Sequence, residues 1–559
     1  MIDETEDLTG LGDEAAEPPL PSGASALPSG AAARVGSATT RALAQAGLIV
    51  TALFLVSRVL GYVRTLAIAA SVPDVAQLGP FYAAFRIPDF LFQLVAAGAL
   101  SSALIPVVAA LIATDEEARA WRVVSSVTTL MISALVLLVG LVLLFAPQLV
   151  AIITPGFDAE QLAQTIELTR IMVLSPLFLA AGAVATSVLN ARGRFASAGL
   201  APLVYNGAII LGAVALVPAF GIAGLAYGVV LGAIGHVLVQ VPSLVRIGAR
   251  IRPMIDLRDD QARLALALMA PRAVGLGATQ IVFLVMTSLA SEIGAEAVTV
   301  FNFAFTLLQI PIGVIGVPLG VVLLPSLARE AATGANESFR RLLVRGLSML
   351  GYVMLVISAL GIVVSPDVVQ LLFGFADIGQ EALAATASAL AVFLIGLTAH
   401  SLIAVLARAF YALQDTRTPV AAALVAVVVN VVAANILVGP LGLNGLAGAI
   451  AISAWIETLT LFVLLQRRMP DLRLGAVWGV LARTLIVALM GAAVAFGIDR
   501  LLVGAWGQDP GFVRVLIRLI VAVTAGGLVI LGGSIALRIE EPRRIVRVVV
   551  DLIHRQGSA

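Results

Sequence analysis

Fourteen apolar stretches, each about 20 residues or longer and so long enough to cross a bilayer, account for most of this 559-residue chain. In hydrocarbon every backbone N–H and C=O must find its partner within the segment, which selects helices for stretches of this kind. The stretches fall at about 43–71, 78–112, 122–153, 164–192, 197–217, 221–246, 265–291, 297–328, 342–371, 381–413, 418–438, 444–467, 476–503 and 513–537. The expectation is an all-α polytopic membrane protein with fourteen transmembrane helices. Charged residues make up only 12% of the chain, against about 25% in soluble proteins. The net charge of +1 gives no sign of nucleic-acid binding. Absence of cysteine excludes disulfides, thiol catalysis and Cys-based metal sites. The three histidines, His236, His400 and His554, lie far apart, so no metal site and no cofactor is expected.

All 34 basic residues are arginine, and they alternate along the loops. One set of loops holds Arg119 and Arg122, Arg192 and Arg194, Arg246 to Arg263, Arg329 to Arg345, Arg417, and Arg467 to Arg473; the loops between hold none. The positive-inside rule then places the Arg-rich loops and both termini in the cytoplasm, as an even number of spans requires. Residues 1–40, acidic at first and then rich in Ala, Gly, Pro and Ser, read as a disordered cytoplasmic tail without signal-peptide character. Residues 539–559 read as a second cytoplasmic tail. Bends are expected at Pro88, Pro106, Pro271, Pro311, Pro318 and Pro325.

The chain repeats itself at an offset near 220 residues. Phe81-Tyr-Ala-Ala-Phe85 returns as Phe301-Asn-Phe-Ala-Phe305, and Leu104-Ile-Pro106 returns as Leu323-Leu-Pro325. Ala146-Pro-Gln-Leu-Val150 returns as Ser365-Pro-Asp-Val-Val369, and Gly221-Ile-Ala-Gly224 as Gly442-Leu-Asn-Gly445. Six spans per unit keep both copies in one orientation, so two parallel six-helix repeats are expected, related by an axis along the membrane normal. The domains read as an N-lobe over 41–247, a C-lobe over 265–468 and an extra helix pair over 475–538.

Intramembrane charge points to function. A mid-bilayer Arg costs roughly 2.5–3.5 kcal/mol on insertion scales, yet the first span carries both Arg58 and Arg64. A wet cavity that receives an anion accounts for such a pair; snorkelling of Arg64 and a buried carboxylate beside Arg58 are the structural alternative. Paired guanidinium forks suit a diphosphate. Six residues apart on an ideal helix, they diverge by about 120°, and Gly61 between them offers a bend that turns both inward. Arg272, after Pro271, is a third candidate for the diphosphate, or a snorkelling cytoplasmic Arg. Arg86 and Asp89, spaced i,i+3, read as an intrahelical ion pair with a structural role ahead of a coupling one. Glu457, mid-span, is either a coupling carboxylate or a hydrogen-bonded structural one. Asn206 and Asn430, at matching places in the two repeats, read as interhelical hydrogen-bonding residues. No outer loop exceeds about ten residues, which leaves no domain for an enzyme active site.

The segments Ser57-Arg-Val-Leu-Gly61, Ala84-Phe-Arg-Ile-Pro88, Gly98-Ala-Leu-Ser-Ser102, Gly316-Val-Pro-Leu-Gly320, Leu323-Leu-Pro-Ser326 and Phe410-Tyr-Ala-Leu-Gln-Asp415-Thr-Arg-Thr-Pro419 resemble the MurJ (MviN) lipid II flippases, of the multidrug/oligosaccharidyl-lipid/polysaccharide exporter superfamily. The resemblance covers about 41–540. It implies two lobes around a central cavity, export of an undecaprenyl-diphosphate-linked peptidoglycan precursor, and a groove for the lipid tail between the last two spans. It implies a bacterial inner-membrane location, membrane lipids and the lipid-linked precursor as partners, and cell-wall synthesis enzymes as further ones. Two cavity arginines of the family fall on Arg58 and Arg64. Other basic positions fall on Phe92, Gln93 and Thr306, and carboxylate positions on Gly79, Ala97 and Gln309; Arg272 stands where the family is usually apolar. Neither 265–291 nor 418–438 contains Asp or Glu, so sodium coupling of the kind some members show is not expected. The lost charges leave two alternatives to lipid II transport: flipping of another polyprenyl-linked oligosaccharide, or a non-transporting scaffold of cell-wall synthesis.

Overall fold

The computed structural model describes residues 53, 56–72, 74–95, 99–376, 378–472, 475–506 and 511–547; the side chains of 99–103, 270–272, 274, 275 and 278 lie outside that description. The tail over 1–40 and the end of the tail over 539–559 also lie outside it. Among the described residues the regular structure is helical throughout.

The helices follow the apolar stretches in order. They are α1 (56–71), α2 (Val75–Val95), α3 (Ala99–Ala113), α4 (Glu117–Ile153), α5 (Ala159–Met172), α6 (Ser175–Ala191), α7 (Phe195–Leu211), α8 (Val217–Phe220), α9 (Ala223–Leu238) and α10 (Val241–Arg246). There follow α11 (Asp260–Ile293), α12 (Ala295–Pro311), α13 (Val317–Ala332), α14 (Asn336–Phe373), α15 (Gln380–Ile395), α16 (Leu397–Ala412), α17 (Arg417–Leu441), α18 (Leu443–Arg468), α19 (Gly475–Trp506) and α20 (Phe512–Ala536). Among the described residues ten helical segments are long and apolar enough to cross a membrane, or eleven with α15 and α16, which meet at 43°. The three other expected spans, 43–71, 78–112 and 265–291, each include residues or side chains outside the described set.

The bends have local causes. Between Pro311 and Pro318 the expected span at 297–328 passes through a π-helical turn, Ile312–Gly316, where an extra residue widens the turn. A second π turn, Gly212–Leu216, precedes Pro218 in the span at 197–217. α1 runs as one helix through Gly61. Pro88 and Pro106 sit inside continuous helices.

One sequence repeat is also a structural repeat. Gly221 and Gly442 close the turns before α9 and α18 with φ of +58° and +53°, a region open to glycine without steric cost. Three residues on, Gly224 and Gly445 lie so close to the backbone of Leu216–Val217 and Leu437–Val438 that neither position has room for a Cβ.

Packing is helix on helix. α2 lies against α5, α11 and α12, and α11 continues onto α3 and α17. α19 and α20 pack on each other and on α14, and a separate apolar core there includes Leu360, Val487, Ala495, Ala522 and Ile530. Gly491 and Gly526 allow that close approach, as small residues do between membrane helices.

Candidate functional site

Four helices, α1, α2, α11 and α12, carry a line of polar side chains through otherwise apolar packing. The spacing within each helix puts them on one face. On α12 and the π turn after it, Asn302, Thr306, Gln309 and Gly313 recur at intervals of three or four; on α2, Arg86, Asp89 and Gln93 do the same.

Arg86 forms the knot at one end of this seam. Its Nε donates to Thr287 Oγ1 of α11 at 3.0 Å, and its Nη2 to Asn302 Oδ1 of α12 at 2.7 Å. Its Cζ stands 5.2 Å from the centre of the Phe283 ring. The ion pair expected between Arg86 and Asp89 is therefore not formed. Asp89 instead accepts from Gln280 Nε2 of α11 at 3.1 Å and from Gln93 Nε2 at 3.5 Å. The helix crossing offers the guanidinium acceptors on two other helices, while the Asp89 oxygens are taken up by two glutamine amides. Near the same end Thr299 Oγ1 donates to the Val75 carbonyl at 2.9 Å, and Gly79 lies directly on Ala295.

The arginines of α1 face different neighbours. Arg64 donates from Nη1 to Asn206 Oδ1 of α7 at 3.0 Å, and Asn206 Nδ2 is itself fixed on the Pro202 carbonyl at 3.0 Å. The guanidinium of Arg58 lies on Gly313, where a Cβ would stand 3.3 Å from Nη1, so a side chain there would crowd it. Arg58 and Gln309 are exposed, whereas Arg64 and Thr306 are half-buried. Thr306 Oγ1 turns back to the Asn302 carbonyl at 2.8 Å.

Asp89 lies within electrostatic reach of both Arg86 and Arg64, and Arg58 lies on the same seam at Gly313. Among the described residues the seam thus gathers three guanidiniums and the Asp89 carboxylate. Tyr82 and Tyr205 stand beside the same charges. Such a seam can hold an anion bearing more than one negative charge.

The other expected residues lie elsewhere. Arg272 falls within α11, with its side chain outside the described set. Glu457 is half-buried in α18, where its neighbours hold the helix in place: Trp455 Nε1 donates to the Ile395 carbonyl at 2.9 Å and Thr458 Oγ1 to the Ala399 carbonyl at 3.1 Å. It forms no ion pair among the described residues. Asn430 Nδ2 donates to Ser453 Oγ of α18 at 3.2 Å.

Sequence reasoning missed a second set of intramembrane charges. Arg518 of α20 contacts Asp367 of α14, and its Nε stands 3.3 Å from Asp499 Oδ1 of α19. The rule that singled out Arg58, a charge inside an apolar span, applies less strongly to these three, which lie near the ends of their spans. Asn302, Thr287 and Gln280 carried no such signal, since lone polar residues are common in spans.

The family model described as lipid II flippase MurJ matches residues 74–515. The lipid II flippase MurJ of Burkholderia cenocepacia is 30% identical over 435 residues, 76% of this chain and 84% of the relative. The "probable lipid II flippase MurJ" of Haemophilus influenzae is 30% identical over 506 residues, 86% of this chain and 98% of the relative. A solved structure of lipid II flippase MurJ in an inward closed conformation superposes with a TM-score of 0.72 at 20% identity, covering 88% of this chain and 99% of that one. An inward-facing multidrug resistance MATE family transporter of the MOP superfamily gives 0.63 at 19% identity, covering 74% and 95%. At these identities the structural likeness is one of fold.

Proposed function

The chain belongs to the MurJ lipid II flippase family, and we propose that it moves lipid II from the inner to the outer leaflet of the bacterial cytoplasmic membrane by alternating access. The observation that carries the reading beyond the family is the seam between α1, α2, α11 and α12, which gathers Arg58, Arg64 and Arg86. A lipid-linked diphosphate is an anion that must cross hydrocarbon, and fixed guanidiniums offset its desolvation.

In this reading Arg58, exposed in the seam, is the first ligand of the diphosphate. Arg64 gives one donor to Asn206 and keeps four for the cargo. Arg272 adds charge from α11. The lobes over 41–247 and 265–468 move against each other along the seam, and Arg86, with its bonds to Thr287 and Asn302, latches its outer end. The helices α19 and α20 hold the lipid tail. Both termini face the cytoplasm, and cell-wall synthesis enzymes receive the product.

A second cargo, another polyprenyl-linked oligosaccharide, is favoured by one observation: Phe92, Gln93 and Thr306 leave α2 and α12 without basic residues around the middle of the seam. Complementation separates the readings. A strain depleted of its own lipid II flippase should grow when it expresses this chain and not when it expresses Arg58→Ala at equal abundance. Failure of the wild-type chain at normal abundance would overturn lipid II as cargo; growth with Arg58→Ala would overturn the diphosphate site.

A further inference from the structure

Away from the seam, four arginines surround one concavity. It measures about 820 Å³ and lies between the first turns of α4, the end of α10 and the segment that follows. Arg122, Arg246, Arg250 and Arg252 line it, with Trp121 and Glu117. Glu117 is already engaged by the Arg192 guanidinium and by Trp121 Nε1 at 3.3 Å. At this end of the molecule Arg119, Arg192 and Arg263 each hold a carboxylate. Among the described residues none of the four lining arginines forms an ion pair.

The wall of the concavity is fixed in place. The Arg252, Met254 and Asp256 N–H groups donate to Ser125 Oγ, Thr129 Oγ1 and Ser126 Oγ of α4 at 3.1, 3.1 and 3.0 Å. Arg250, Arg252 and Met254 line the concavity, while Ile251, Ile255 and Leu257 stand 40%, 54% and 48% exposed. The segment sits where α4 begins and α10 ends, and at the end of membrane helices apolar side chains meet lipid and arginines meet headgroups. A small soluble anion has no use for the apolar edge; a molecule with a phosphate and acyl chains uses both.

We propose that this concavity binds an anionic glycerophospholipid, its phosphate held by Arg122, Arg246, Arg250 and Arg252 and its acyl chains beside Ile251 and Ile255. The site is independent of the transport reading.

The test uses the full chain in a neutral detergent, with retained lipid counted by native mass spectrometry during titration with phosphatidylglycerol or phosphatidylcholine. Wild type should hold phosphatidylglycerol in preference. Converting all four lining arginines to Gln should abolish that preference, with affinity falling about fivefold per guanidinium removed. A control with Arg258, Arg329, Arg345 and Arg467, all exposed outside the concavity, changed to Gln should keep it. Arg250→Gln alone repeats the measurement where the fourfold variant is not monodisperse. Equal loss in the control, or a fourfold variant that binds like wild type, would overturn the proposal. So would inorganic phosphate that displaces phosphatidylglycerol at equal concentration, since the site would then take a free anion.

Discussion

Replacing Arg518 by Met should detach α19 and α20 from α14 more effectively than any apolar substitution at that junction. The guanidinium side chain is 8% exposed, and the carboxylates of Asp367 and Asp499 are 2% and 16% exposed. Their surroundings are apolar, with Leu360, Val364 and Ile530 in the same core. Breaking a buried pair by removing one partner costs about 3–5 kcal/mol, because the remaining charge stays buried without compensation; here two carboxylates would remain. Asp499→Asn has the opposite character. It removes the surplus negative charge and leaves Arg518 against Asp367, so its cost should stay under about 1 kcal/mol. Changing all three, as Arg518→Met with Asp367→Asn and Asp499→Asn, should recover most of the loss. Unfolding by SDS titration in mixed micelles, followed by the fluorescence of tryptophans such as Trp478 and Trp506 of α19, reads the differences directly. If Arg518→Met unfolds within about 0.5 kcal/mol of wild type, or Asp499→Asn costs more than Arg518→Met, the reasoning fails.

Four further outcomes are expected. Arg58→Ala should abolish complementation while Arg58→Lys keeps part of it, since Lys supplies the charge without the bidentate fork; equal defects in the two would argue against charge recognition. Thr306→Arg places a guanidinium one turn from Asn302 on the seam face and should improve complementation, by about 1–3 kcal/mol of cargo binding for each charge-assisted hydrogen bond gained; a neutral or harmful effect would mean that other groups already meet the cargo's charge. At the start of α11, Arg119 Nε donates to Asp259 Oδ2 at 2.8 Å and holds its carboxyl below the usual carboxylate range. A depressed folded pKa stabilises above the unfolded value of about 3.9 and ceases to as pH falls through the folded value. Asp259→Asn, which keeps an N-cap acceptor, should therefore lower the melting temperature at pH 7, with the gap closing below about pH 4; a gap unchanged to pH 3 would contradict this. For topology, an impermeant thiol reagent on intact cells should label Glu292→Cys and not Ser338→Cys, and the reverse pattern would invert the assignment.

Much of the fold was legible because burial in lipid acts on each span separately. The helical spans and the turns at Gly221 and Gly442 follow from local composition and backbone chemistry, while the π turn between Pro311 and Pro318, where only bends were expected, does not. The candidate site was half legible. Arg58, Arg64 and Arg86 stand out as charges inside apolar spans, whereas Asp367, Asp499 and Arg518 lie near the ends of theirs, where a charge can reach the interface and signals less.

From sequence alone come the helical class, the membrane setting, the order of the spans, the alternation of their flanking charge and the identity of the intramembrane charges. Each of these follows from the free energy of moving one segment, or one side chain, between water and hydrocarbon. Only the tertiary structure decided which charge meets which partner. Arg86 reaches past Asp89, one turn away, to Asn302, 216 residues on; Arg64 takes Asn206, 142 residues on; Arg518 meets Asp367 from 151 residues away. Hydrogen bonds last only over about 3 Å and within narrow angles, so these pairings depend on how helices distant in sequence cross, and no local periodicity encodes that crossing.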